Sequence, residues 1–281
     1  EFDEHHALED AKRIVKIAID NYDKRGPEVM IPKHKAKQVA GFGVESIEYH
    51  LGGSFRGTFY TLNDNIINGR IRGVAGVVGC NNARTRHNED HLLIVKELIK
   101  NDVLVLTTGC TAIACAMDGL LAPETAAAAA GPGLAEVCET VGIPPVLHLG
   151  SCVDNSRILL AATEVVKAGG LGNDLSDLPV AGSAPEWMSE KAISIGNYFV
   201  TSGVYTVFGY MLPTSGAPVF HDYISKEFEN IYGGMWDVEA DPIKHAHMMI
   251  AHIDKKRKEL GIDRARERVL MDMADRQALQ A

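Results

Sequence analysis

The chain has 281 residues, of which 46% are hydrophobic, and its formal net charge is -9 at pH 7. A chain of this size can bury a full core, as one large domain or as a domain with an appendage. The acidic balance argues against a nucleic-acid partner, because no basic stripe could displace counterions from phosphates. No run reaches the roughly 20 apolar residues that span a bilayer, and the polar N-terminus does not resemble a signal peptide, so we expect a cytoplasmic protein.

The predicted elements divide the chain into three parts. Residues 1–70 are predicted to be mainly helical, with helices near 5–22 and 33–51. Over residues 71–262, β-rich runs alternate with helical stretches, which predicts a Rossmann-like α/β domain: a parallel sheet with helices on both faces. The predicted strands are 74–79, 103–107, 145–149, 179–181 and 205–208, and the predicted helices are 88–100, 111–120, 123–141, 155–167, 185–201 and 242–260. Residues 263–281 are predicted to be a charged helix or tail.

Three cysteines follow predicted strands in the same pattern of strand, glycine or glycine-serine, then cysteine: Cys80, Cys110 and Cys152. In an open α/β sheet the carboxyl ends of the strands form the ligand-binding edge, so we expect the three thiols to converge there. A helix that begins beside each cysteine favours the thiolate, which binds iron-sulfur clusters, zinc or nickel. The separations of 30 and 42 residues exclude compact zinc-ribbon or ferredoxin patterns.

A simpler interpretation is that these cysteines are small buried hydrophobic residues. For Cys115 and Cys138, which lie at apolar positions inside predicted helices, we prefer that interpretation. For the other three, the repeated position at a strand end favours metal ligation.

Four segments closely resemble the anaerobic nickel-iron-sulfur carbon monoxide dehydrogenases, specifically the C-terminal portion of the catalytic subunit. They are residues 73–82 (GVAGVVGCNN), 102–110 (DVLVLTTGC), 148–157 (HLGSCVDNSR) and 184–196 (APEWMSEKAISIG), and weaker similarity extends to about residue 261. The resemblance implies oxidation of CO with water to CO2, two protons and two electrons at a nickel-iron-sulfur cluster of the Ni-4Fe-4S type. It implies that Cys80 and Cys110 bind cluster irons and that Cys152 binds nickel. Lys191 matches the active-site lysine of the family, and Ile195 an apolar residue over the CO site.

The resemblance also implies components outside this chain. Members of the family bring a histidine and further cysteines to the same cluster from an upstream region, which also holds additional [4Fe-4S] clusters. This chain has no cysteine before Cys80, so we expect it to ligate the cluster only in part and to need a complementing N-terminal chain or segment. A homodimer and a ferredoxin-like electron acceptor are implied for the full-length protein.

Other candidate sites are weaker. His87 and His91 stand four residues apart, as in zinc peptidases, but the acidic positions do not match that motif. His148 is a candidate for hydrogen bonding near the centre, and Asp154, Asn155 and Arg157 are candidates for helix capping or for supporting the ligands. His245, His247 and His252 are predicted to form a solvated or packed helix face, and no glycine-rich segment is a nucleotide-binding fingerprint.

Two alternatives stay open. One is a relative of the hybrid-cluster hydroxylamine reductases, which the presence of nickel would separate from a dehydrogenase. The other is a non-catalytic, cluster-free α/β scaffold module, because a family fold does not guarantee the family function.

Overall fold

The structure is a computed structural model that describes residues 3–54, 57–214 and 216–263. These residues divide into two compact units between Lys35 and Ala36. The first unit contains helix α1 (Ala7–Asp20), none of whose residues is buried, and a short 3-10 turn. Among the described residues no helix is both long enough and apolar enough to cross a membrane.

The second unit is an α/β domain. Its strands are β1 (Gly73–Val77), β2 (Val103–Thr108), β3 (Val146–Gly150), β4 (Val180–Ala184), β5 (Thr206–Phe208) and β6 (Trp236–Val238). Its helices are α2 (Val44–Leu51), α3 (Tyr60–Ile67), α4 (Glu89–Lys100), α5 (Gly109–Met117), α6 (Thr125–Ala129), α7 (Pro132–Val141), α8 (Ser156–Ala168), α9 (Glu190–Thr201), α10 (Pro218–Lys226), α11 (Phe228–Tyr232) and α12 (Pro242–Glu259).

All six strands are parallel and lie in the order β3-β2-β1-β4-β5-β6. This confirms the predicted Rossmann-like α/β class. The strands are rich in valine and leucine because helices cover both faces of the sheet; every residue of β2 is buried. The direction of strand order reverses between β1 and β4, and in such sheets ligands bind at the carboxyl ends beside that reversal.

The helix boundaries differ clearly from the prediction in three places. The predicted helix 185–201 begins only at Glu190. The predicted helix 123–141 is two helices, because Gly131 adopts an extended conformation and Pro132 starts α7 anew. In the predicted helix 33–51 only Val44–Leu51 is helical. The residues before it are extended because their amide groups bond elsewhere: Gly41 and Phe42 donate to the carbonyl of His148, at 2.9 and 3.0 Å.

Four elements were not predicted individually, namely α3, α10, α11 and the edge strand β6. The last predicted segment, 263–281, lies outside the described residues from 264 onward. The long helix α12 was predicted, and it begins where the side chain of Asp241 accepts hydrogen bonds from the amides of Ile243 and Lys244.

Candidate metal centre

The three strand-end cysteines lie at the carboxyl ends of three neighbouring strands. Cys80 is three residues beyond β1, Cys110 is the second residue of α5 directly after β2, and Cys152 is two residues beyond β3. Only part of the predicted pattern holds, because Cys80 lies in the loop between β1 and α4 and no helix begins beside it. Cys152 opens a short 3-10 helix that leads to α8.

The fold brings the three thiols together. The sulfur of Cys152 packs against the backbone of Gly109, where a Cβ atom would lie only 2.5 Å from it. Gly109 is the residue before Cys110 and has a φ of +57°, so a side chain here would both clash and strain the turn. The thiols of Cys80 and Cys152 are both close enough to Cys110 to affect its ionisation.

The environment of Cys110 disfavours the free thiolate. Burial raises the pKa of the Cys110 thiol, and the neighbouring thiols of Cys152 and Cys80 raise this pKa further. The backbone N–H of Asn81 donates to the sulfur and lowers the pKa, but this effect is smaller. The predicted benefit of a helix N-terminus is therefore outweighed, and a positive charge placed between the thiols would be the natural means of ionising them.

A cavity of about 70 Å³ adjoins the thiols at the ends of β1 and β4, where the strand order reverses. Cys80 and Cys152 line it, together with Lys191 from the first turn of α9 and Ile195 one turn further on. Of the predicted site residues, only Cys110 does not line this cavity. The structure thus brings two distant segments of the sequence, the cysteines and α9, to one place.

A lysine at the position of Lys191 could instead be an exposed helix residue that pairs with Glu186 or Glu190. Its side chain is exposed, and within the described residues it forms no ion pair with Glu186 or Glu190. Glu186 is instead completely buried and accepts a hydrogen bond from the hydroxyl of Thr85, at 3.1 Å. Lys191 is therefore available to a ligand in the cavity.

Side chains link the segments that carry the cysteines. The Thr108 hydroxyl donates to the side-chain oxygen of Asn155, which joins the end of β2 to the start of α8. Asn155 was predicted to be a helix cap or a supporting residue; it makes no side-chain cap, and this contact is its role in the described structure. Asp154 closes a capping box with Ser151, and Arg157 donates to the carbonyl of Leu149 at 3.0 Å.

A further side chain, His91, connects the segments that carry Cys80 and Cys110, and the sequence patterns did not indicate this connection. His91 is completely buried, and its two ring nitrogens contact the carbonyl oxygen of Cys80, at 2.7 Å, and the hydroxyl of Thr111, at 3.0 Å. Burial lowers the pKa of His91, so the ring is neutral at pH 7. The His87–His91 pair therefore does not offer two free nitrogens to zinc.

The other candidate histidines have ordinary packing partners. His148 is partly buried, and its Nδ1 accepts from the amide of Gly150 at 3.1 Å. His245 is buried between Ser183 and the carbonyl of Glu239, at 2.7 and 3.1 Å. His252 stacks on Tyr205 with ring centroids 4.5 Å apart, and the exposed His247 meets Glu97 at 3.1 Å.

The donor set suits an extended cluster better than a single ion. Among the described residues, no three His, Cys, Asp or Glu side chains are grouped tightly enough to surround one metal ion. Three thiols spread over three neighbouring strand ends match a group several atoms wide. Thiolates are also the ligands that iron-sulfur clusters and nickel prefer.

Comparisons with known proteins identify the family of the chain. The model of the Prismane/CO dehydrogenase family matches residues 1–243. Carbon monoxide dehydrogenase 1 of Methanosarcina mazei is 52% identical over 264 residues, and that of Carboxydothermus hydrogenoformans is 41% identical over 272 residues. The alignments cover 94% and 93% of this chain but only 41% and 42% of the two relatives.

A solved structure of carbon monoxide dehydrogenase from Thermococcus sp. AM4 is 51% identical and superposes with a TM-score of 0.84, over 93% of this chain and 40% of that one. The chain thus spans about two fifths of the length of the relatives it matches. The relatives described are named as carbon monoxide dehydrogenases, which favours this type over the hybrid-cluster alternative. With a family match over most of its length and relatives at up to 52% identity, the chain belongs to the Prismane/CO dehydrogenase family.

Proposed function

We propose that this chain supplies part of the active site of a cytoplasmic carbon monoxide dehydrogenase, which oxidises CO with water to CO2, two protons and two electrons. The observation that carries the proposal is the convergence of three strand-end thiols with Lys191 and Ile195 on one edge of the sheet. The relatives named carbon monoxide dehydrogenase support the choice of reaction.

The three cysteines have distinct proposed roles. Cys80 and Cys110 bind irons of a nickel-iron-sulfur cluster, and Cys152 binds the nickel. When bound, such a cluster supplies a soft metal for CO and accepts the two electrons of the reaction. Cys152 is the most exposed of the three, which suits the ligand of the metal that meets the substrate.

Lys191 and Ile195 act on the substrate from α9. The Lys191 ammonium would donate a hydrogen bond to the substrate oxygens, where negative charge gathers as CO is oxidised to CO2. Ile195 forms an apolar wall of the cavity, so it limits the water that can reach the carbon and leaves the ammonium in a less polar surrounding.

Three thiolates do not complete such a cluster. We therefore place the other ligands, a histidine and further cysteines, on a complementing polypeptide segment, together with additional [4Fe-4S] clusters that carry electrons to a ferredoxin-like acceptor. The complete protein would be a homodimer. The share of each relative that this chain covers, about two fifths, leaves room for such a segment.

The test is metal and sulfide analysis of anaerobically purified protein, with CO-dependent dye reduction, with and without the complementing segment. We expect iron, sulfide and nickel in a fixed ratio when the segment is present, and the loss of nickel in Cys152→Ala but not in the buried control Cys138→Ala. Iron without nickel, with hydroxylamine reduction, would favour the hybrid-cluster alternative. A colourless, inactive protein in the presence of the segment would favour the non-catalytic scaffold.

A further inference from the structure

We infer that His91 is a positioning residue that ties the loop carrying Cys80 to the helical turn carrying Cys110, and so sets the separation of these two thiols. The inference rests on the proposed function in one respect, namely that both cysteines are cluster ligands. Its structural content, that His91 restrains Cys80, can be tested without any metal.

The contacts define one arrangement of the ring. The carbonyl oxygen of Cys80, 2.7 Å from Nε2, can only accept a hydrogen bond, so Nε2 carries the proton. Nδ1 then has a free lone pair, and the hydroxyl of Thr111 donates to it over 3.0 Å. A single tautomer of the neutral ring satisfies both partners, and these belong to Cys80 itself and to the residue after Cys110.

The Cys80 loop lies outside regular secondary structure, and its ends are held by hydrogen bonds of Val78 to Ser183 and of Asn82 to Trp187. Among the described residues, the hydrogen bond to Cys80 itself comes from His91. No helix or strand covers residues 78–88, and Gly79 has a φ of +136°, which an L side chain rarely adopts. The Cys110 turn, in contrast, is held by the helical hydrogen bonds of α5.

His91 stands on a rigid support. Its helix α4 buries Ile94, Val95, Leu98 and Ile99 in the domain core. A side chain locked by such packing can hold a ligand segment more accurately than a loop can. Both ring nitrogens are already engaged, so His91 acts through Cys80 and Thr111 and not as a metal ligand with His87.

The experiment measures alkylation of individual cysteines by iodoacetamide in the polypeptide that carries this chain, after a chelator has removed its metals. Peptide mass spectrometry follows Cys80, with Cys152 as the internal reference. We expect His91→Leu to speed alkylation of Cys80 about fivefold to tenfold, as loss of a hydrogen bond predicts, with less than about a twofold change at Cys152. His91→Gln should stay within about twofold of the parent, because the glutamine amide can still donate to the Cys80 carbonyl.

The control is His252→Leu, which removes a half-buried ring that lies on α12 and stacks on Tyr205. It should leave the relative rate at Cys80 unchanged. Equal Cys80 rates in the parent and His91→Leu would overturn the inference, as would a similar increase in His252→Leu or a His91→Gln variant that behaves like His91→Leu.

If circular dichroism shows that His91→Leu does not fold, Thr111→Val is measured in its place. This variant removes only the hydroxyl that orients the His91 ring. It should raise the Cys80 rate more than about twofold, and no increase overturns the inference. In metal-loaded protein, His91→Gln should keep the parental iron content and electron paramagnetic resonance spectrum, whereas Thr111→Val should alter the spectrum. A parent that binds no iron would refute the proposed function and leave the alkylation result valid.

Discussion

The amino and carboxyl edges of the sheet differ in whether their polar groups have partners within the chain. At the amino edge, charged groups are paired within the chain: Arg72 makes a two-point contact with Asp254, at 2.8 and 2.6 Å. The buried Arg257 donates to three backbone carbonyls, those of Ile66, Arg72 and Ile262. At the carboxyl edge, thiols face one another and raise the pKa of Cys110. The charged groups of the amino edge are paired within the chain, whereas the carboxyl edge has the composition of a binding site.

The same contrast occurs within one helix. Cys110 and Cys115 both lie in α5, but Cys110 opens the helix at the sheet edge, while Cys115 is completely buried. Burial raises the pKa of Cys115 to about 12, and no other cysteine is among the causes of this shift. The position relative to the sheet edge, and not the residue type, therefore separates a candidate ligand from a packing residue.

The largest expected effect is at the carboxyl edge. Cys110→Ala should abolish nickel binding in the completed protein, lower its iron content by the irons of this cluster and reduce CO oxidation to background, because an alanine cannot replace a thiolate ligand. The free energy of unfolding of the metal-free protein should change little. Metal analysis and urea denaturation check the two statements, and full metal content in Cys110→Ala would contradict the assignment.

Lys191→Ala should lower the rate of CO oxidation by about 10²-fold to 10³-fold, the usual cost of removing a donor that stabilises a developing anion. Metal content should be unchanged, since Lys191 is not a proposed ligand. Steady-state kinetics at saturating CO measure the effect. Lys167→Ala, at an exposed ion pair on α8, is the control and should retain the parental rate.

At the amino edge the expected effect is on stability alone. Arg257→Met should lower the free energy of unfolding by about 3 kcal/mol, because three backbone carbonyls, one of them in a buried hydrogen bond, lose their donor. Metal bound per folded chain should stay at the parental level. The control Arg70→Met breaks a more exposed ion pair with Glu136 and should cost less than about 1 kcal/mol in the same denaturation experiment. A loss of metal in Arg257→Met would mean that the two edges are not independent.

The smallest effect is expected for Cys115→Ala. Removing one buried sulfur should reduce the free energy of unfolding by about 1 kcal/mol and leave metal content and the CO oxidation rate unchanged. Denaturation and metal analysis against Cys110→Ala provide the direct contrast within α5. Metal loss in Cys115→Ala would undermine the distinction between the two environments.

Local patterns in the sequence were sufficient for the architecture. Uninterrupted apolar runs such as 103–106 mark buried parallel strands, and their alternation with amphipathic helices specifies an α/β fold. The same patterns located three cysteines after strands and separated them from Cys115 and Cys138. The match of the segment 184–196 to a known family pointed to Lys191 and Ile195 as well.

Contacts between distant residues decided the rest. The segment before α2 is extended because its amides bond to the carbonyl of His148, more than one hundred residues away. His91 holds Cys80 and Thr111 only because the fold brings the β1 and β2 ends to one side of α4. Periodicity reports which residues are buried, but it does not report which partner each buried polar group meets. The sequence by itself therefore determined the sheet and the candidate ligands, and only the tertiary structure determined how those ligands are held.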